Sequence, residues 1–141
     1  MNNSVHIFCY GSLMYPEVWN LVVEGDYKQQ PGQIFGYRRK KIKNEDYPGI
    51  IAVKEEDSVE GIVYFNVSND DLKRLDLFEG TQYIRVEVNC LVSHNFYLKT
   101  HTYIINPQAR AIVDNEDWDK QQFEQNGLKK FLNKYKGFSA L

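Results

Sequence analysis

Glu79 is a carboxylate on a helix face that should be apolar. The segment 68–80 carries helix signals at both ends. Ser68 is a suitable N-cap, Asp70 and Asp71 complement the positive end of the dipole, and Gly80 is a natural stop. Leu72, Leu75 and Phe78 define the apolar stripe between them. At about 3.6 residues per turn, Glu79 falls roughly 40° from the centre of that stripe, so it is predicted to point inward. A carboxylate held against apolar side chains is poorly solvated and gives up its proton less readily, which suits it to take and return a proton near neutrality. The helix C-terminus acts in the same direction, because its dipole disfavours negative charge. The alternative is a surface residue that pairs with Arg85 or Lys73, or frays past the last turn.

A second candidate lies at the start of the chain, in Phe8-Cys9-Tyr10-Gly11-Ser12-Leu13-Met14. Residues 5–10 have the β-branched and aromatic composition of a buried strand. Gly11 lets a ligand approach the main chain closely, and Pro16 stands where a first helical turn would begin. Strand, small-residue turn and helix start together aim several backbone N–H groups into one space, a nest for an anion or a developing oxyanion. The competing reading is an ordinary tight turn. Ser12 lacks the Gly-x-Ser-x-Gly setting of a hydrolase nucleophile and a nearby His-Asp pair. Cys9 and His6 fall on opposite faces of their strand, which argues against a thiol nucleophile with that base.

The elements that must position these groups alternate between strands and helices. A short helix is expected over 16–21, carrying Trp19. A long strand is expected over 33–43, with a bend or bulge at Gly36. After a turn at 44–46, Tyr47-Pro48-Gly49 forms a corner into a strand over 50–53. Residues 59–67 are almost continuously apolar, as in a central strand. In 83–90, Ile84, Val86, Val88 and Cys90 share one face, with Tyr83, Arg85, Glu87 and Asn89 on the other. Ser93-His94-Asn95 turns the chain into a strand over 96–105. The tail from Trp118 is helical, with a stripe of Leu128, Phe131, Leu132 and Tyr135 that Gly127 would interrupt.

Composition narrows the class. A chain of 141 residues with 43% hydrophobic and 26% charged side chains suits one globular domain, residues 1–141. The aromatic share of 14% fits a β-rich fold with a lined cavity. A net charge of -2 and a pI near 5.9 give no electrostatic reason to expect nucleic acid. The basic run Arg38-Arg39-Lys40-Lys41 alternates across both faces of a predicted strand and is expected to be solvated edge or rim rather than a phosphate patch. There is no apolar run of membrane-spanning length and no signal-peptide core, so a cytoplasmic protein is expected. Cys9 and Cys90 form no CxxC pair and are expected to be reduced and buried. His6, His94 and His101 have no metal-ligand spacing.

Five motifs in order resemble the gamma-glutamylcyclotransferase-like family, in particular its short gamma-glutamylamine cyclotransferase branch. They are Tyr10-Gly11-Ser12-Leu13, Gly36-Tyr37-Arg38, Tyr47-Pro48-Gly49, Val59-Glu60-Gly61-Ile62-Val63-Tyr64, and Leu75-Asp76-Leu77-Phe78-Glu79-Gly80 with Tyr83 and Arg85. The resemblance implies an α+β fold, a small mixed β-barrel with flanking helices and a cavity at one mouth. It implies a reaction in which the α-amine of a gamma-glutamyl group attacks its own gamma-carbonyl, releasing 5-oxoproline and an amine or amino acid. It makes Glu79 the general acid/base and Tyr10, Gly11, Ser12 and Leu13 the substrate loop, with no metal or cofactor. Tyr47, Pro48, Gly49, Tyr83 and Arg85 are expected around the pocket, with Arg85 anchoring the neighbourhood of Glu79. The rim is expected at 14–19 and 47–50. Two readings compete: a non-catalytic small-molecule binding module, and another acyl-transfer or amide-cleaving enzyme using the same site. The leaving group and the oligomeric state are not specified by the sequence.

Overall fold

The strands are short stretches bounded by turn residues, and they close on one another. In the computed structural model, residues 4–139 are described except Glu55 and His94, with the backbone alone for 135–139. Strands β1 (Val5–Cys9), β5 (Ser58–Val67), β2 (Gln29–Phe35), β6 (Tyr83–Ser93) and β7 (Phe96–Ile105) form a closed barrel in that order. The barrel is mixed, because β1 runs antiparallel to β5 and parallel to β7. As its apolar run predicts, β5 is paired on both sides. Among the described residues β2 and β6 pair only at Gln33 and Leu91, and β1 and β7 only at Ile7 and His101, so the barrel has two loose seams.

The expected strand over 33–43 is two strands in two sheets. Gly36, at φ +85, breaks it, and β3 (Tyr37–Ile42) leaves the barrel for a three-stranded sheet with β4 (Pro48–Ala52) and β8 (Val113–Asp117). A positive φ is open to glycine at little cost, so the chain changes sheets here. The basic run is therefore not on an edge strand: β3 is the middle strand of its sheet. Arg38 and Lys40 reach Asp117 of β8 at 2.7 and 3.1 Å, which holds the Asp117 carboxyl down at about 2.

Helix α1 (Pro16–Val22) starts at Pro16, and α2 (Asn69–Glu79) is capped by the Ser68 hydroxyl, which accepts from the Asp71 N–H. Gly80 ends α2 at φ +77. The C-terminal helix is not broken at Gly127. A short α3 (Lys120–Gln122) widens through a π turn (Phe123–Gly127) into α4 (Leu128–Ser139). Leu128, Phe131 and Leu132 pack on the core as their spacing predicts, while the Tyr135 side chain lies outside the described residues. Among the described residues, no helix is long and apolar enough to cross a membrane.

Two apolar clusters hold these parts together. One gathers strand residues such as Phe8, Ile34, Val59 and Val63 with Tyr10 just past β1, and the other joins strands to helices through Ile7, Trp19, Tyr64, Leu72 and Leu75. Trp19 stacks on Tyr64 at 3.6 Å between ring centroids. The tightest strand contact is at Gly61, where an added Cβ would land on the Cys9 carbonyl oxygen and close to the Phe8 ring. Backbone cannot swing aside as a side chain can, so Gly61→Ala is expected to cost roughly 1–3 kcal/mol. A lower urea midpoint at unchanged slope would show it, and an unchanged midpoint would refute it.

Candidate active site

One cavity of about 880 Å³ gathers the segments singled out above. It is lined by the turn after β1 (Tyr10, Gly11, Ser12, Leu13), by Tyr47 and Pro48 at the entry to β4, by Phe78 and Glu79 at the end of α2, and by Tyr83. Gly11 brings the first two segments together, since a Cβ there would come within 2.8 Å of the Pro48 ring. The Tyr83 hydroxyl donates to the Pro48 carbonyl at 2.8 Å, and the Tyr64 hydroxyl donates to the Leu13 carbonyl at 3.0 Å. The Tyr10 hydroxyl donates to the Tyr103 carbonyl at 2.7 Å. Buried phenols thus fasten the backbone around the cavity, and burial raises their pKa values, which keeps them neutral donors.

The turn after β1 is a short 3-10 turn, Ser12–Met14, with no side chain capping its start. Its first bonded amide is that of Met14, which donates to the Gly11 carbonyl. The amides of Ser12 and Leu13 precede it and have no acceptor within the turn. The Ser12 hydroxyl has no hydrogen-bond partner among the described residues.

Glu79 makes no ion pair or hydrogen bond among the described residues, so the surface-pair alternative does not hold. The residue keeps some exposure, yet enough protein surrounds its carboxyl to push its pKa up to about 8, through burial first and then the nearby charge of Asp76. Its own charge raises the pKa values of Cys9, Tyr10, Tyr47, Tyr83 and Tyr103, the groups that ring it. Asp76 is held by Arg85 (Nε to Oδ1, 2.9 Å) and by the Tyr103 hydroxyl at 2.6 Å, while Arg85 also contacts His101 at 2.6 Å. Such a site has one proton carrier poised near neutrality beside backbone donors and uncharged phenols.

The family described as gamma-glutamyl cyclotransferase, AIG2-like, matches residues 7–120. This chain belongs to that family. AIG2-like protein D of Arabidopsis thaliana is 33% identical over 139 residues, covering 94% of this chain and 88% of the relative. An Arabidopsis thaliana protein solved in solution has a TM-score of 0.69 at 27% identity, over 96% of this chain and 82% of its own. A solved structure named gamma-glutamyl cyclotransferase, at 18% identity, shares the fold with a TM-score of 0.64, covering 95% of this chain and 87% of that one.

Within this AIG2-like chain, two expected pocket residues do not line the cavity. Gly49 lies one residue behind the lining, packed so closely against Ile105 that a Cβ would not fit. Arg85 shares a strand face with Tyr83 but is turned to Asp76 and His101, and so anchors the neighbourhood of Glu79 from outside the cavity. The rim also differs at 14–19. Trp19 is buried against Tyr64, and Met14 and Tyr15 face a different cavity. The mouth is formed instead by Asn44, Asp46, Leu77 and the α4 residues Lys130, Phe131 and Lys134. At the start of β6 it is the Tyr83 face that turns inward: Tyr83 is buried and Ile84 is 36% exposed. The cavity lies at this end of the strand, so the aromatic residue turns inward. Trp118 packs on Phe123 and donates to the Asp46 carbonyl at 2.7 Å, steadying the loop at the mouth.

Proposed function

We propose that this protein is a gamma-glutamylcyclotransferase-type enzyme in which Glu79 is the general acid/base. The carrying observation is Glu79 itself, a carboxyl without an ion-pair partner among the described residues, facing the cavity with its pKa raised to about 8. Membership of the gamma-glutamyl cyclotransferase, AIG2-like, family supports the reaction class. A gamma-glutamyl compound binds with its chain folded so that its α-nitrogen lies against its own gamma-carbonyl. Glu79 takes a proton from the α-ammonium, and the freed amine forms the new C–N bond. The tetrahedral oxyanion is held by the amides of Ser12 and Leu13, which line the same cavity. Collapse breaks the gamma-amide bond as Glu79 returns the proton to the leaving nitrogen. The carboxylate then takes the second proton from the new lactam nitrogen and passes it to the released amine, so that 5-oxoproline and an ammonium depart. No water is consumed and no covalent enzyme intermediate forms. The attack is intramolecular, so holding the substrate folded supplies much of the acceleration. The scheme calls for no metal or cofactor, and its substrate is a small molecule.

The test is product identity. A panel of gamma-glutamyl amines, amino acids and peptides is incubated with the protein and analysed by mass spectrometry. The expected product is 5-oxoproline with one equivalent of the amine. Free glutamate would instead mean hydrolysis by the same site, and binding without turnover would mean a binding module.

A further inference from the structure

A second cavity, of about 790 Å³, shares no lining residue with the first. It lies beside the loose seam between β2 and β6, with Tyr15, Arg39, Glu60, Lys120 and Glu124 among its walls. Two of these groups are short of partners. The Arg39 guanidinium is partly buried and makes no ion pair among the described residues. Only its Nη1 is bonded, to the carbonyls of Tyr10 at 2.6 Å and Glu60 at 3.3 Å, while its plane lies against the Trp118 ring at 5.1 Å. The Tyr15 hydroxyl is buried and has no hydrogen-bond partner among the described residues. Burial raises the Tyr15 pKa to about 12, and the Glu124 carboxylate beside it adds to the rise by its charge and its attraction for the hydroxyl proton, although the two groups fall short of hydrogen-bond geometry.

A buried donor without an acceptor costs free energy, and a guanidinium with idle N–H groups presents a fork that fits a carboxylate. Arg39 and Tyr15 are close enough to influence each other's ionisation, so one carboxylate can satisfy both. Glu60 and Glu124 stand on the same walls and would repel a ligand of purely negative charge, but they would hold an ammonium group. We propose that this cavity binds a small α-amino acid zwitterion, its carboxylate on Arg39 and Tyr15 and its ammonium toward Glu60 and Glu124. The site stands apart from the proposed reaction and does not rest on it.

Binding is tested on the whole protein by ¹H–¹⁵N NMR titration with free L-amino acids, with acetate and inorganic phosphate as controls. Glu79→Gln protein is used, so that turnover plays no part. Saturable shifts at the Arg39 and Trp118 side-chain N–H signals with at least one amino acid, and none with phosphate, are expected. Tyr15→Phe removes a hydroxyl that makes no hydrogen bond among the described residues, so it should fold normally and weaken that binding about tenfold. Arg39→Lys keeps the charge but loses the fork, and should weaken it more. Absence of saturable shifts with any amino acid would overturn the proposal. So would equal affinity in Tyr15→Phe, or phosphate binding as tightly as an amino acid.

Discussion

Glu79→Gln abolishes 5-oxoproline release, with kcat lowered by roughly 100-fold or more and KM little changed, if the carboxyl carries the proton in both directions. Glutamine matches glutamate in size and can still hydrogen-bond, but it cannot take a proton from the substrate ammonium. The pH dependence makes the expectation sharper. The free-enzyme carboxyl titrates at about 8, so kcat/KM should climb with pH up to that region. With a substrate ammonium bound beside it, the carboxylate is favoured, and kcat should stay level to lower pH than kcat/KM does. A mutant that keeps more than a tenth of wild-type activity would remove Glu79 from the chemistry.

The same carboxyl has a stability consequence of opposite sign. Its folded pKa, about 8, lies above its ordinary 4.5, so folding favours the protonated form. That contribution is complete below the unfolded value and is lost as pH rises through the folded one. The loss approaches about 1.4 kcal/mol for each pH unit crossed, and is smaller where cavity water reaches the carboxyl. Glu79→Gln does not titrate. The variant should therefore melt like wild type near pH 4 and increasingly above it from pH 5 to 8. A residue that makes the fold less stable at the pH where the protein works is one kept for another reason.

Helix α2 shows how far local sequence carries such an argument. The spacing of Leu72, Leu75 and Phe78 was enough to place Glu79 on the inner face, and Ser68 and Gly80 were enough to bound the helix. The turn after β1 was legible for the same reason, because glycine and proline act through their own backbones. What stayed hidden depends on partners distant in the chain. β8 is a polar run, Val113–Asp117, with no strand pattern of its own, and it pairs with β3 where Arg38 and Lys40 meet Asp117. The apolar stripe of α4 announced that it docks, yet not that Lys130 and Phe131 would reach the cavity mouth. Tyr103 was an unremarked residue in a strand, and only the fold brings its hydroxyl to Asp76. The sequence marks Asp71 as a dipole partner at the helix start, and the structure gives it a larger part.

Asp71→Ala is expected to cost about 3–5 kcal/mol, the range for removing one partner of a buried ionic network. The side chain is 2% exposed and ties two parts of the fold together. Its carboxylate accepts from the N–H groups of Glu24 and Gly25 (both 2.9 Å), from the Tyr27 hydroxyl at 2.5 Å, and from Arg74 at 2.7 Å. Alanine leaves these donors without their acceptor and releases the loop after α1 from the helix that carries Glu79. Burial alone would raise the Asp71 pKa, but the bonds from Tyr27, the two backbone amides and Arg74 outweigh it and hold it below its ordinary value. Its stabilising contribution is thus present above the ordinary carboxylate range and lost as pH falls through the lowered folded value. Urea melts at pH 7 and pH 3 separate this from a simple packing loss: the gap between wild type and Asp71→Ala should narrow in acid. A gap under about 1 kcal/mol at neutral pH would mean that water replaces the lost acceptor. Arg74 also lines the cavity, and without Asp71 it loses its shorter ion pair, keeping only Glu24 at 3.3 Å. The same variant should therefore raise KM in the 5-oxoproline assay even at temperatures where it remains folded, which joins the stability of α2 to the shape of the site at its end.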